Sequence, residues 1–182
     1  MKNKYTLLLF FAAFCCMGVQ CKEDDDSYAK ELAKLPPYTK KGYNTFGCLI
    51  NGKAFPQSSE GYHQKQVYYY NGELHINYST MFNSFDANEA ITVRTNKIHK
   101  EGAFTIEPIL GEDQFTVITG GDDGFYSTIL FQSPIERRAA ITITRLDSIN
   151  HIISGTFSFK ARSIQSDKEV SVEHGRFDLF YQ

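Results

Sequence analysis

The chain has 182 residues and a formal charge of −2, from 19 basic and 21 acidic side chains. A balance this close to neutral excludes the basic footprint of a nucleic-acid binder, so no nucleic-acid partner is expected. Hydrophobic residues at 42% and aromatic residues at 14% suffice for one packed domain without a disulfide framework.

Lys2 and Lys4 precede an apolar run from Leu7 to Val19, and Cys21-Lys22-Glu23-Asp24-Asp25-Asp26 follows at once. A helix over Leu7–Val19 would be about 20 Å long against a hydrocarbon core of ~30 Å. Residues 1–20 therefore read as an export signal rather than a membrane-spanning anchor. Around Cys21 the chain resembles a bacterial lipoprotein signal, in which a peptidase cuts before a cysteine that becomes diacylated and N-acylated with chains such as palmitate. The usual pattern has Leu three residues before the cysteine and a small residue directly before it; here Gly18 and Gln20 stand there. The alternative is cleavage near Val19–Gln20 that leaves a soluble periplasmic protein. Removing residues 1–20 takes away Lys2 and Lys4 and no acid, which moves the formal charge from −2 to −4.

Lys22, Glu23, Asp24, Asp25 and Asp26 are similar to the acidic signal that directs lipoproteins of Bacteroidota-type bacteria to the outer leaflet. The expectation is an outer-membrane protein, lipid-anchored and facing the cell exterior, with the periplasmic face as the alternative. The plainer reading of such a run is a solvated spacer. Acyl chains would make the membrane a partner, since each buried methylene adds ~0.8 kcal/mol and more than one chain holds stably.

Residues 21–44 read as an acidic tether carrying a short helix at about 27–35. Ser27 can cap it, Tyr28, Leu32 and Leu35 share one face, and Pro36-Pro37 stops it. A helix this short forms only when its apolar stripe docks, and the expected partner is the chain's own domain. Fully extended, residues 22–44 would reach ~75 Å.

From residue 45 to 182 the pattern is β. Asn51-Gly52 and Asn71-Gly72 sit between apolar runs, a strong hairpin signal. The first hairpin pairs Ile50 with Lys53, Leu49 with Ala54 and Cys48 with Phe55. That puts Cys48 on a face with Phe46 and Phe55, as a buried, inert thiol rather than a nucleophile or metal ligand. The second pairs Tyr69 with Leu74 and Val67 with Ile76 on a core face. Its outer face carries Tyr70 opposite Glu73, Tyr68 opposite His75 and Gln66 opposite Asn77. Tyr68, Tyr70 and His75 are thus a candidate ligand surface, able to stack on sugars or accept a partner protein. The alternative is cross-strand support of a bare sheet.

Further strands are marked by Ile91 and Val93, Phe104 and Ile106, Phe115 to Ile118, Phe125 to Phe131, and Ala139 to Leu146. Ile153, Gly155, Phe157, Phe159 and Ala161 alternate with polar residues. Val170 and Val172 differ in parity from Phe177, Leu179 and Tyr181, which predicts a bulge at His174-Gly175 with glycine supplying the unusual angle. The fold class is all-β: a single antiparallel sandwich or barrel-like domain of about ten strands.

Leu35-Pro36-Pro37 with Gly42-Tyr43-Asn44-Thr45-Phe46-Gly47-Cys48-Leu49-Ile50-Asn51-Gly52-Lys53 is similar to the opening of an uncharacterised family of Bacteroidota lipoproteins. Ile153-Ser154-Gly155-Thr156-Phe157-Ser158-Phe159 and Gly175-Arg176-Phe177-Asp178 resemble its closing strands. The resemblance implies a small β-rich surface or periplasmic lipoprotein and supplies no catalytic residues.

Chemistry-bearing motifs are sparse. His63, His75, His99, His151 and His174 are scattered without helical metal-ligand spacing, so neither a metal nor a cofactor is expected. Gly120-Gly121-Asp122-Asp123-Gly124, with Glu112 and Asp113 nearby, invites a calcium hypothesis but lacks the ligand spacing of an EF-hand; a plain turn explains it. The expected function is a non-catalytic binding or envelope-accessory domain for a glycan, peptide or envelope protein. The alternative is a hydrolase of glycans or envelope polymers with carboxylates brought from different strands.

Overall fold

The computed structural model describes residues 23–56, 62–81, 89–119, 124–133 and 135–182. One helix, α1 (Glu23–Ala33), precedes eleven strands among these residues. β1 (Thr45–Ile50) and β2 (Lys53–Phe55) form the first hairpin, β3 (Tyr62–Tyr70) and β4 (Glu73–Met81) the second. Then come β5 (Glu89–Thr95), β6 (Gly102–Ile106), β7 (Gln114–Ile118) and β8 (Phe125–Ser127). A single 3-10 turn (Thr128–Leu130) leads to β9 (Ala139–Asp147), β10 (Ile152–Ser163) and β11 (Glu169–Phe180). Among the described residues no helix is long and apolar enough to cross a membrane.

All eleven strands join one curled antiparallel sheet in the order β2-β1-β11-β10-β8-β7-β5-β4-β3, with β9 and β6 branching from β10. β3, at one end of this order, meets the chain just past β11 at a seam. There Gln182 donates its N–H to Val67 (3.1 Å) and accepts from the Tyr69 N–H (3.3 Å). The all-β, barrel-like expectation is met.

Both Asn-Gly turns have positive φ at both positions, 48° and 77° in the first and 47° and 91° in the second. Two-residue turns of that shape fix the register, and both hairpins pair as the sequence predicts, Cys48 opposite Phe55 and Tyr68 opposite His75. The inward faces supply the main core, where Phe46 stacks on Tyr78 (4.8 Å between centroids) and on Phe157 (5.5 Å). Ile76, Ile91, Val117 and Leu179 are at most 1% exposed beside them. Each side chain buried to that degree contributes roughly 1.5–3 kcal/mol.

β1 is buried on both faces. Its outward Leu49 joins Ala54, Leu35 and the half-buried Leu32 in a second, smaller cluster under α1. Glu31 accepts the Ala54 N–H at 2.8 Å, and the Tyr28 hydroxyl reaches Glu173 at 3.4 Å. The helix therefore docks on its own domain, as its apolar stripe requires. It begins at Glu23 rather than Ser27, which lies inside it. Asp26 lies in the first turn, where negative charge is favourable against the helix dipole.

Two further expectations change. The run Phe125 to Phe131 is not one strand. β8 stops at Ser127, paired with Arg162, because β9 already occupies β10 up to Ser158. The chain turns there and tucks Phe131 inside at 2% exposure. Nor is 34–44 a free leash, since Thr39, Lys41, Gly42 and Tyr43 are bonded to Asp178.

The predicted bulge is present. The register of β11 shifts against β10 between Phe157 and Phe159 and against β1 between Gly47 and Leu49. The residue at positive φ is His174 (51°), not Gly175. Gly175 is required by closeness instead, as a Cβ there would lie 2.6 Å from the ring and carbonyl of Phe157.

Candidate functional site

The outward faces of β3, β4 and β5 are continuous. Tyr68 stands opposite His75, His75 opposite Arg94, and Arg94 opposite Gln114 on β7. One row away, Tyr70 stands opposite Glu73. Arg94 ties the rows together by donating Nε and Nη2 to Glu73 Oε1 at 3.1 and 2.9 Å. Held this way, the guanidinium keeps β4 and β5 in fixed register on their solvent side.

Tyr68 and His75 belong to a groove of about 860 Å³ that follows β3 to the seam. Asn44, Gln64, Gln66 and Gln182 line it with them. Four carboxamides, a phenol and an imidazole present paired donors and acceptors with no fixed charge among them. Burial of His75 lowers its pKa, the Arg94 charge adds to that, and Glu73 opposes both. The imidazole is therefore neutral near pH 7 and can donate from one nitrogen while accepting at the other. Lys65 adds one cation to the groove wall, where its Nζ donates to the Asn44 carbonyl at 2.8 Å. Tyr70 does not line the groove; it stands on the same sheet face at 69% exposure.

Cys21 and Lys22 lie outside the described residues, as do positions 120–123 of the calcium loop. Glu23 to Asp26 form the first turn of α1. Of the acids near that loop, Glu112 is exposed. Asp113 is buried against Lys97 at 2.7 Å and accepts the Ile109 N–H at 3.1 Å, a structural placement. Among the described residues no three His, Cys, Asp or Glu side chains come together as a metal cage.

Cys48 has no exposed surface. Burial pushes its thiol well above the usual range, and the negative charge of Glu89 adds to the rise. The thiolate is thus suppressed, and with it nucleophilic chemistry. His63 lies against Tyr78 (5.9 Å), His151 against Tyr181 (5.4 Å) and His174 against Tyr28 (6.2 Å).

Asp178 is the group that sequence reasoning passed over. By alternation it points outward, yet it is 1% exposed. Ser154 and Thr39 donate hydroxyls to it at 2.6 Å each, and the N–H groups of Gly42, Lys41 and Tyr43 reach it at 2.8, 3.0 and 3.0 Å. Burial raises its pKa, but those donors outweigh burial and hold the carboxyl at about 2. A carboxylate so fully saturated has no lone pair left for proton transfer. The only sequence signal was Gly42, which takes φ 74° where the loop folds over the acid.

Comparison with protein-family models, with curated proteins and with solved structures finds no match.

Proposed function

We propose that the protein is an outer-membrane lipoprotein, anchored through acylated Cys21 and facing the cell exterior, whose barrel-like domain binds a glycan without transforming it. The groove beside β3 carries this reading: Tyr68 and a neutral His75 stand there among the carboxamides of Asn44, Gln64, Gln66 and Gln182. Sugar hydroxyls both donate and accept, which is what carboxamides and a neutral imidazole answer, while the tyrosine ring offers an apolar face to a pyranose. The resemblance of its opening and closing blocks to Bacteroidota lipoproteins supports the same placement at the envelope.

The test is a glycan-array and envelope-polysaccharide screen with the mature chain, followed by Tyr68→Ala and His75→Ala on any hit. Each variant is expected to weaken binding by about tenfold, the cost of losing one buried aromatic or hydrogen-bonding contact. Binding that survives both changes would reject the groove, and release of reducing ends would identify a hydrolase instead. For the anchor, Cys21→Ala should move the protein out of the membrane fraction, and external protease should digest the wild type on intact cells.

A further inference from the structure

We propose that one rim of the barrel, carrying Ile118, Phe125 and Ile164, is the surface that rests on the lipid bilayer. This rests on the acylated Cys21 proposed above and adds how the domain sits on that anchor.

The reach of the anchor is short. Tyr28 is fixed against the domain: its hydroxyl bonds Glu173, its ring lies edge-on to His174, and it borders the Asn51-Gly52 turn. From Tyr28 back to Glu23 the helix rises only about 7.5 Å. The two further steps to Cys21 add at most about 7 Å of chain. The Cys21 backbone can thereby lie no more than about 15 Å from that of Tyr28, whose ring borders the β1–β2 turn, whereas β10 alone, at 12 residues, is about 40 Å long. A domain held so closely at one end must present that end to the bilayer.

Sheet order defines what that end contains. Asn51 bonds Ser171 on β11 in both directions at 2.9 Å. β11 and β10 run past that point to their connecting turn, where Ile164 donates its N–H to the Phe125 carbonyl at 3.4 Å. Phe125 pairs in turn with Ile118. The β1–β2 turn, the β10–β11 connection and the paired ends of β7 and β8 are consecutive around one rim. Exposed there are Ile164 (57%), Ile118 (39%) and Phe125 (36%). A single exposed isoleucine is ordinary for a soluble surface. Two isoleucines and a phenylalanine, gathered at two adjoining points of the rim beside the acyl attachment, suit the boundary between headgroups and chains.

The opposite rim carries the β9–β10 turn with Ile149 and the Asn71-Gly72 turn. Tyr68 and His75 lie within three residues of the latter, so these two side chains stand towards the rim held away from the bilayer.

The chain has no tryptophan, so a single introduced indole reports its own surroundings. The full lipidated protein carrying Ile164→Trp, Phe125→Trp or Ile149→Trp is reconstituted into phosphatidylethanolamine–phosphatidylglycerol vesicles doped with dibromo-acyl phosphatidylcholine. Vesicle flotation of the same samples, with Cys21→Ala as control, reads the anchor independently. Quenching at positions 164 and 125 is expected to exceed that at 149 by about twofold or more, since indole at the interface lies within reach of the bromines. Flotation with equal quenching at all three positions would overturn the rim placement and leave the anchor standing. Failure to float would overturn the anchor, and the rim placement with it.

Discussion

The Thr39 hydroxyl lies 2.6 Å from Oδ2 of Asp178 and so joins the segment in front of the barrel to its last strand across 139 positions of sequence. Four more donors meet the same carboxylate, three of them backbone amides of Lys41, Gly42 and Tyr43. Their convergence turns an outward-pointing strand residue into an internal anchor for residues 39–43. Asp178 is thus the clasp that fastens the leading segment to the sheet.

Asp178 should set part of the protein's acid stability. Its carboxyl is held at about 2 in the folded state against 3.8 for the free group. A folded pKa below the unfolded one gives stability that is complete above about pH 4 and is lost as pH falls towards 2. The shift corresponds to about 2 kcal/mol at neutral pH. Asp178→Asn should therefore lower unfolding stability by about that amount at pH 7 and flatten its pH dependence between pH 4 and 2. Urea titrations across that window measure both effects, and an unchanged acid limb would refute the role.

Leu35→Ala should loosen the strap formed by α1 and the segment after it. Leu35 is 8% exposed and closes the small cluster over Leu49 and Ala54. Its truncation is expected to cost about 2 kcal/mol, the lower end for a buried leucine because the site lies near the surface. Limited trypsin digestion should then cut at Lys34, Lys40 or Lys41 about tenfold faster than in the wild type, by local opening rather than global unfolding. Equal cleavage rates would show that the strap is held elsewhere.

Gly175→Ala should be among the most damaging single changes. The added methyl would meet both the Phe157 ring and its carbonyl oxygen at 2.6 Å. A clash shared between backbone and core aromatic is expected to cost about 2–3 kcal/mol. A chemical denaturation midpoint equal to wild type would mean that Phe157 moves aside freely.

Cys48 should resist thiol reagents while the domain is folded. With no exposure and a suppressed thiolate, its labelling should run at the rate of global unfolding and accelerate by about a thousandfold or more in denaturant. Rapid native labelling would place the thiol outside the core.

The parts of the fold that were readable from sequence are those governed by short-range rules. Asn51-Gly52 and Asn71-Gly72 dictate turn shape, and turn shape dictates which residues face each other, so both hairpins and the Tyr68–His75 pair followed directly. The parity change between Val172 and Phe177 likewise required a bulge. What escaped depends on neighbours distant in sequence. β8 is short because β9 competes for the same edge of β10, which no pattern within 125–131 can reveal. Asp178 and Ser154 look solvent-facing by alternation, and only the return of residues 39–43 buries them. The groove was half legible: Tyr68 and His75 are local partners, whereas Asn44 and Gln182 reach it from across the seam.

The first strand of the domain hydrogen-bonds along the last, Thr45 beside Asp178 and Ile50 beside Val172. No amino-terminal portion can therefore complete its sheet before the carboxy-terminal portion has been made available, and loops exceeding a hundred residues must close before the pairing rewards them. A chain threaded through a translocation pore would stay pliant for the whole passage and acquire its final shape only on the far side.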